Sequence, residues 1–264
     1  MYFLKYSLSF LFFLCVSLVE AQQNEDYYVI RVTGKITNIS AGKALEVRDK
    51  FNAKDEIKFS STNDYAVVIS SVQGHLVLKP HKAEKKEGEL TYFVRENLIP
   101  MQKHTSTRGQ FTEFFKQSDI KHYFESRPFL LLEQNQFWMF NGMFEINDSS
   151  YLYMATCDDN KAKLSYNSKT QLLTINRKKA LTLSNTDCPT YKLFYYDAGW
   201  QQSFEICTID FVTLSNDELK EEITLIKEYS SASSDKELMA DIHSYVRFTY
   251  GNFDEEALGQ IINN

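Results

Sequence analysis

The sequence predicts an α+β fold that is mainly β, with helices near the C-terminus. Short β-branched and aromatic runs alternate with polar turns along most of the chain, which is typical of strands. The chain has 20 Phe and 16 Tyr but only 9 Gly and 4 Pro, a composition that favours strands over low-complexity segments. Because strands and helices do not alternate regularly, we expect antiparallel sheets.

The first 21 residues predict a cleaved secretory signal peptide. Lys5 precedes an apolar run over 8–19, and Val19-Glu20-Ala21 places small residues before a cut after Ala21. The run is too short for a typical membrane span, although an uncleaved anchor is the alternative. We therefore expect an exported protein, periplasmic, envelope-associated or extracellular, with no transmembrane segment after signal cleavage.

The composition argues against some functional classes. The net charge of −6 and a pI near 5.5 give no electrostatic basis for binding nucleic acid. The sequence contains neither Gly-x-Ser-x-Gly nor His-Glu-x-x-His, and no glycine loop for phosphate. We therefore predict no cofactor, no metal site and no catalytic residue.

Residues 22–100 are predicted to form a small β domain, a barrel or a sandwich. Turn residues separate its short apolar runs, as expected for sequential antiparallel strands. The predicted strands are 28–33, 36–39, 44–48, 56–59, 66–69, 75–78 and 89–98.

Part of this domain, residues 27–80, resembles the β-domain of FecR-type periplasmic proteins. The resemblance is carried by Gly34-Lys-Ile, Gly42-Lys-Ala-Leu45, Asp49, Asp55-Glu-Ile57, Phe59-Ser-Ser61, Ala66-Val-Val-Ile69, Gly74 and Leu78-Lys-Pro80. It implies a sensor or scaffold domain of the cell envelope rather than an enzyme.

Residues 110–264 are predicted to form a second, larger domain. A helix over 111–124 precedes an antiparallel β-meander over 129–214, in which Asn141-Gly142 is a hairpin turn between 136–140 and 143–146. Leu181–Ser184 is one of its predicted strands. The spacings Ser215 to Glu218 and Ser234 to Glu237 predict capped C-terminal helices, and 252–262 a third, short helix.

The cysteines allow two interpretations. Cys157, Cys188 and Cys207 remain after signal cleavage, and an oxidising compartment favours one disulfide. We predict that such a bond joins Cys157 and Cys188, because both adjoin turn residues at strand ends while Cys207 lies within an apolar strand. The alternative is that all three thiols are buried.

The ligand-binding candidates are Trp138 and Trp200. Their aromatic neighbours are typical of a carbohydrate or peptide platform, and packing in a core is the alternative. The predicted function is a non-catalytic binding or scaffold protein with a protein or glycan partner at the cell envelope. The alternative is a secreted hydrolase acting on glycan or peptide, in which His243 would activate one of the cysteines.

We expect the mature protein to begin at Gln22, because the small-residue exit ends at Ala21. N-terminal sequencing or intact mass of the secreted protein tests this. A secreted chain that retains residues 1–21 would show that the segment is an anchor.

Overall fold

The structure is a computed structural model that describes residues 25–80, 91–101, 113–158, 160–183 and 190–263. It is a mixed α/β protein made mostly of sheets, with helices at the C-terminus, which confirms the predicted fold class. The signal segment lies outside the described residues and stays a prediction. In the described ranges, no helix has the length and apolarity needed to cross a membrane.

Contacts divide the chain into two compact units. The first comprises the described residues of Met1–Lys103 together with Thr224–Ile242, and the second those of His104–Ile223 together with His243–Asn264. The predicted domain limits, 22–100 and 110–264, stay a prediction.

The first unit contains two antiparallel sheets. Their orders are β4-β1-β6-β7-β9 and β3-β2-β5-β8. The elements are β1 (Asp26–Thr33), β2 (Ile36–Asn38), β3 (Lys43–Ala44), β4 (Lys50–Asn52), β5 (Glu56–Phe59), β6 (Tyr65–Ser70), β7 (Gly74–Leu78), β8 (Thr91–Phe93), helix α1 (Val94–Asn97) and β9 (Leu98–Pro100).

Both sheets of this unit contribute to one hydrophobic core. Val29 and Val68 face it from one sheet, and Ile57 and Phe59 face it from the other. Among the described residues the two sheets do not close into a barrel. The first unit therefore agrees with the predicted sandwich and not with the predicted barrel. The strand predicted over 89–98 is interrupted by α1.

The second unit also has two sheets, in the orders β10-β12-β16-β15 and β11-β18-β17-β13-β14. Helices α4 and α5 contribute residues to both units. The remaining elements are β10 (Glu113–Phe114), α2 (Gln117–Glu125), β11 (Phe129–Leu131), β12 (Gln134–Met139), β13 (Tyr151–Ala155), β14 (Lys161–Lys163), β15 (Ser165–Asn167), β16 (Leu172–Asn176), α3 (Arg177–Leu183), β17 (Thr190–Asp197), β18 (Gln202–Thr213), α4 (Asn216–Tyr229), α5 (Asp235–Tyr250) and α6 (Glu255–Asn263).

Two edge pairs of these sheets are parallel, which departs from the predicted antiparallel meander. Strand β10 pairs with β12 and β11 pairs with β18 in parallel, while the other pairs are antiparallel. Parallel neighbours need a crossover connection, and α2 with β11 lies between β10 and β12 in the chain.

The helix predicted over 111–124 is shorter than expected. Phe114 belongs to β10, and α2 begins at Gln117. The side chain of Asp119 explains this start, because its Oδ2 accepts hydrogen bonds from the backbone N–H of Phe115 and of Lys116, both at 3.1 Å. Residues 111 and 112 lie outside the described ranges.

The strand predicted over 143–146 is wrong. The antiparallel partner of β12 is β16, and residues 143–146 form bends and irregular backbone. Met143, Phe144 and Ile146 are partly buried against the core. Their apolar character therefore reflects loop packing rather than a strand.

The strand predicted over Leu181–Ser184 is also wrong. Residues 181–183 belong to α3, and Ser184 lies outside the described residues. The Oδ1 of Asn176 accepts the N–H of Lys179 at 3.2 Å at the start of this helix. Ala180 and Leu183 are buried, which is the i, i+3 spacing of a helical stripe.

The C-terminal helices begin as predicted. At α4, the Glu218 N–H donates to Ser215 Oγ at 3.1 Å and the Ser215 N–H donates to Glu218 Oε2 at 2.8 Å, a reciprocal capping box. At α5, the Glu237 N–H donates to Ser234 Oγ at 3.3 Å.

We expect Gly251→Ala to lower the free energy of unfolding by about 3 kcal/mol or more. Gly251 follows α5 with φ +92°, and an added Cβ would collide with the backbone carbonyl of Pro128. Gly42→Ala is the control, since Gly42 has φ +67° with nothing within 4 Å of an added Cβ. Urea unfolding measures the free energy of unfolding of both variants. Equal losses of stability in the two variants would contradict the steric explanation.

Candidate functional site

The candidate site is the outer face of the sheet that contains β12. Burial alternates along this strand. Phe137 and Met139 are buried in the core, while Gln134, Gln136 and Trp138 belong to the opposite, more exposed set. This is the period-two pattern of a strand with one buried face.

Directly paired residues of neighbouring strands share a face of a sheet. Gln134, Gln136 and Trp138 on β12 pair with Asn176, Thr174 and Leu172 on β16. Thr174 and Leu172 pair in turn with Ser165 and Asn167 on β15. Trp138 also pairs with Glu113 on β10. We define the β12 face as Glu113, Gln134, Gln136, Trp138, Ser165, Asn167, Leu172, Thr174 and Asn176. Only Glu113 among these residues is charged, although 24% of the whole chain is charged.

We define the aromatic platform as Phe115, Trp138 and Phe140, at one end of this face: Phe140 lies two residues beyond Trp138, and its N–H donates to the Phe114 carbonyl at 2.8 Å. Phe115 is 58% exposed and Phe140 is 51% exposed. The rings of Phe115 and Trp138 are 5.4 Å apart, and Trp138 itself is half-buried. Large apolar side chains that cluster at the surface mark interaction sites more often than single ones do.

The other end of the face opens into a polar groove between β12 and α6. A cavity of about 140 Å³ is lined by Gln134, Gln136, Asp254, Glu256, Ala257 and Gln260. A second cavity of about 250 Å³ shares Gln134, Ala257 and Gln260 with it. Together, platform and groove give the face one apolar end and one hydrogen-bonding end.

Asp254 holds α6 against β12. Its Oδ1 accepts the N–H of Glu256 at 3.0 Å and of Ala257 at 3.1 Å, which caps α6, and its Oδ2 accepts the N–H of Gln136 at 2.5 Å. Burial raises the pKa of Asp254, against the opposing effect of these hydrogen bonds. With both oxygens accepting backbone N–H groups, this carboxylate positions the groove.

The amide side chains of Gln134 and Gln136 lie at the groove. Among the described residues, no hydrogen-bond partner is found for the side chains of Gln134 and Gln136. An amide offers two donors and an acceptor oxygen. These groups are therefore available to hydroxyl or peptide groups of a bound molecule.

Trp200, the second predicted ligand-binding residue, lies elsewhere in this unit. It belongs to the turn between β17 and β18 and is 78% exposed. The Oδ1 of Asp197 accepts the N–H of Gly199 at 2.8 Å and of Trp200 at 3.2 Å, which fixes the turn. Trp138 lies in the sheet that contains β12, whereas Trp200 lies in a turn of the other sheet. Neither side chain is buried in a core.

A second aromatic cluster lies on the strands β13 and β17, and we call it the aromatic ladder. Tyr151 lies beside Tyr196 at 5.3 Å and Tyr153 stacks on Phe194 at 5.1 Å. The Lys163 ammonium lies 4.4 Å from the centre of the Tyr151 ring, and Tyr153 is only 6% exposed. These rings are engaged in cross-strand and cation–π contacts, and Tyr153 is far more buried than Phe115 or Phe140.

The cysteines do not have the properties of catalytic thiols in the described part of the chain. Cys207 is free and 2% exposed, and burial raises the pKa of its thiol to about 12, whereas catalysis requires a lowered pKa. Cys157 takes part in a disulfide. Cys188 lies outside the described residues, so the pairing of Cys157 with Cys188 stays a prediction.

His243, the imidazole of the alternative hydrolase, lies on α5. Its ring packs edge-on against Phe253 at 5.6 Å, and burial lowers its pKa. The Arg247 guanidinium lies 5.4 Å from the centre of the same Phe253 ring. Within the described ranges, no group of three or more His, Cys, Asp or Glu residues is placed to hold a metal ion.

Sequence reasoning identified Trp138 but missed the rest of this site. The alternation over 134–140 was a usable signal, because it places Gln134, Gln136, Trp138 and Phe140 on one side of a strand. The contribution of Phe115 and of the groove depends on pairing between distant segments.

Comparisons with protein-family models, with curated proteins and with solved structures find no match to this chain.

We expect Asp254 to contribute less to the free energy of unfolding as pH rises. A carboxyl group with a raised pKa in the folded state binds a proton more tightly there than in the unfolded chain, where its pKa is about 3.9. The free energy of unfolding of the wild type should therefore fall, relative to Asp254→Asn, as pH rises from 3 through the raised pKa.

Urea unfolding at several pH values measures this difference. Asp210→Asn, which alters an exposed carboxylate on β18, is the control. A wild type that gains stability relative to Asp254→Asn with rising pH would contradict the expectation.

Proposed function

We propose that this chain is an exported, non-catalytic binding protein whose β12 face holds a protein or glycan partner at the cell envelope. The observation that carries the proposal is the aromatic platform, where the ring of Phe115 contacts Trp138 and both Phe115 and Phe140 are more than half exposed. Exposed aromatic side chains grouped in this way commonly supply most of the binding energy of an interface.

Features of the sequence support the setting. The segment 1–21 has the pattern of a secretory signal. Residues 27–80 resemble an envelope β-domain with a sensor or scaffold role, and in the structure this region contributes most strands of the antiparallel sandwich of the first unit.

The chemistry around the face supports binding rather than turnover. The one buried carboxylate that lines the groove, Asp254, caps α6. The hydrolase alternative would need a reactive thiol, and burial makes Cys207 harder to ionise.

The proposal is tested by co-sedimentation of the mature protein with the insoluble envelope fraction of its source cells. We expect the double variant Phe115→Ala/Phe140→Ala to bind about tenfold more weakly or worse, because truncating aromatic anchors commonly costs more than 1 kcal/mol. Phe248→Ala is the matched control, since Phe248 is a 45% exposed side chain on α5. Thermal unfolding confirms that each variant is folded.

Equal retention of the double variant and the control would contradict the proposal. A loss of binding confined to Trp200→Ala would move the site to the turn between β17 and β18. Turnover of ester, peptide or glycan substrates that disappears on replacing Cys188 or His243 would favour the hydrolase.

A further inference from the structure

We infer that the partner bound by the β12 face is a neutral glycan chain, an inference that rests on the proposed function and specifies its ligand. The juxtaposition that carries it is an aromatic platform continuous with a row of uncharged hydrogen-bonding side chains on one sheet face.

The β12 face carries very little charge. Of the residues that define the face, only Glu113 is ionisable, and it lies on the edge strand β10. An anionic polymer would be expected to meet Lys or Arg, and a basic peptide several carboxylates, because charge complementarity steers such ligands. The groove at the end of the face adds the exposed Glu256 and the buried Asp254, whose oxygens accept backbone N–H groups. The face itself has almost no charge in a chain that is 24% charged, which suits a ligand without charge.

The hydrogen-bonding groups of the face also suit a sugar. The face carries amide side chains at Gln134 and Gln136, and further amides at Asn167 and Asn176, whose Oδ1 atoms already accept backbone N–H groups. The side chain of Thr174 lies opposite Gln136 on β16. Amides and hydroxyls both donate and accept, and so do the hydroxyl groups of a sugar. A sugar can therefore satisfy these side chains without burying a charge.

The site combines apolar and polar surface, as a sugar ring does. A pyranose ring presents C–H groups on its faces and hydroxyls around its edge. Trp138 is flanked on its strand by Gln136 and lies across from Leu172 on β16. Aromatic and apolar surface beside convergent polar groups is the usual composition of a small-molecule or sugar subsite.

The length of the site favours a chain over a single sugar. Gln134 and Phe140 are six residues apart in extended or nearly extended backbone, which spans about 20 Å at about 3.3 Å per residue. The groove beside α6 extends the surface at the Gln134 end. Several consecutive sugar residues fit along this distance.

The aromatic ladder provides an internal contrast. There the ammonium of Lys161 lies 5.7 Å from the centre of the Tyr153 ring, and Lys163 lies over Tyr151. An acidic glycan would be drawn to those lysines rather than to the β12 face. Binding of neutral and acidic probes should therefore respond to different substitutions.

The experiment is affinity electrophoresis of the mature protein in native gels that contain soluble neutral polysaccharides, namely a β-glucan, a mannan or a xylan. Alginate is the acidic probe, and polylysine, tested by competition, is the basic one. The variants are Trp138→Ala, Gln136→Ala and Phe115→Ala/Phe140→Ala, with Phe248→Ala as the matched control and thermal unfolding as the check on folding. Protein-free envelope material, treated with protease and detergent, is tested by co-sedimentation.

We expect at least one neutral polysaccharide to retard the wild type, and the platform variants to weaken that binding about tenfold or more. Gln136→Ala should weaken it less, and Phe248→Ala should leave it unchanged. Since Phe115 and Phe140 are more than half exposed, the double variant keeps the test valid if Trp138→Ala fails to fold. Protease-treated envelope should still bind the wild type.

The inference is overturned if no neutral polysaccharide in the panel binds, or if alginate or polylysine competes for the platform. It is also overturned if protease treatment abolishes binding to the envelope while the platform variants still impair binding to untreated envelope. In that last case the proposed function survives with a protein partner. Failure of the untreated envelope to bind any form of the protein would instead refute the proposed function.

Discussion

Aromatic packing around Phe137 is the constraint on which the β12 face depends. The side chain of Phe137 contacts surrounding rings at centroid distances from 5.4 to 6.0 Å, and these belong to Phe114, Tyr123, Phe124 and Phe129. Since side chains alternate along a strand, fixing Phe137 inward fixes Gln136 and Trp138 outward. A slip by one residue would expose Phe137 and bury an amide without a partner, which costs free energy.

The same ring cluster reaches the groove through Tyr123. Its hydroxyl donates to the Phe253 carbonyl at 2.8 Å, and its own carbonyl accepts Nδ2 of Asn252 at 2.6 Å. These bonds hold the segment that leads into Asp254, which caps α6 and accepts the N–H of Gln136. One network of buried contacts therefore fixes both the exposed face of β12 and the helix beside it.

The sequence revealed what is encoded locally. The strand over Glu56–Phe59 has the bounds that the sequence predicts, and the predicted spacings Ser215 to Glu218 and Ser234 to Glu237 mark the starts of α4 and α5. The parallel pairing of β10 with β12 was not predictable, because it joins distant segments through long-range contacts. For the same reason, Trp138 was recognised as a candidate while Phe115 was not, although their rings are in contact.

The difference between the two aromatic surfaces determines where function is expected. In the ladder, Tyr153 is covered by Phe194 and by a lysine side chain, so its burial already contributes to the stability of the sheet. In the platform, Phe115 and Phe140 leave more than half of their surface in water, so burying it is still available to a ligand at about 25 cal/mol per Å². The ladder rings thus contribute to stability beneath their lysines, whereas the exposed platform rings beside uncharged polar side chains form the surface on which the proposed binding function rests.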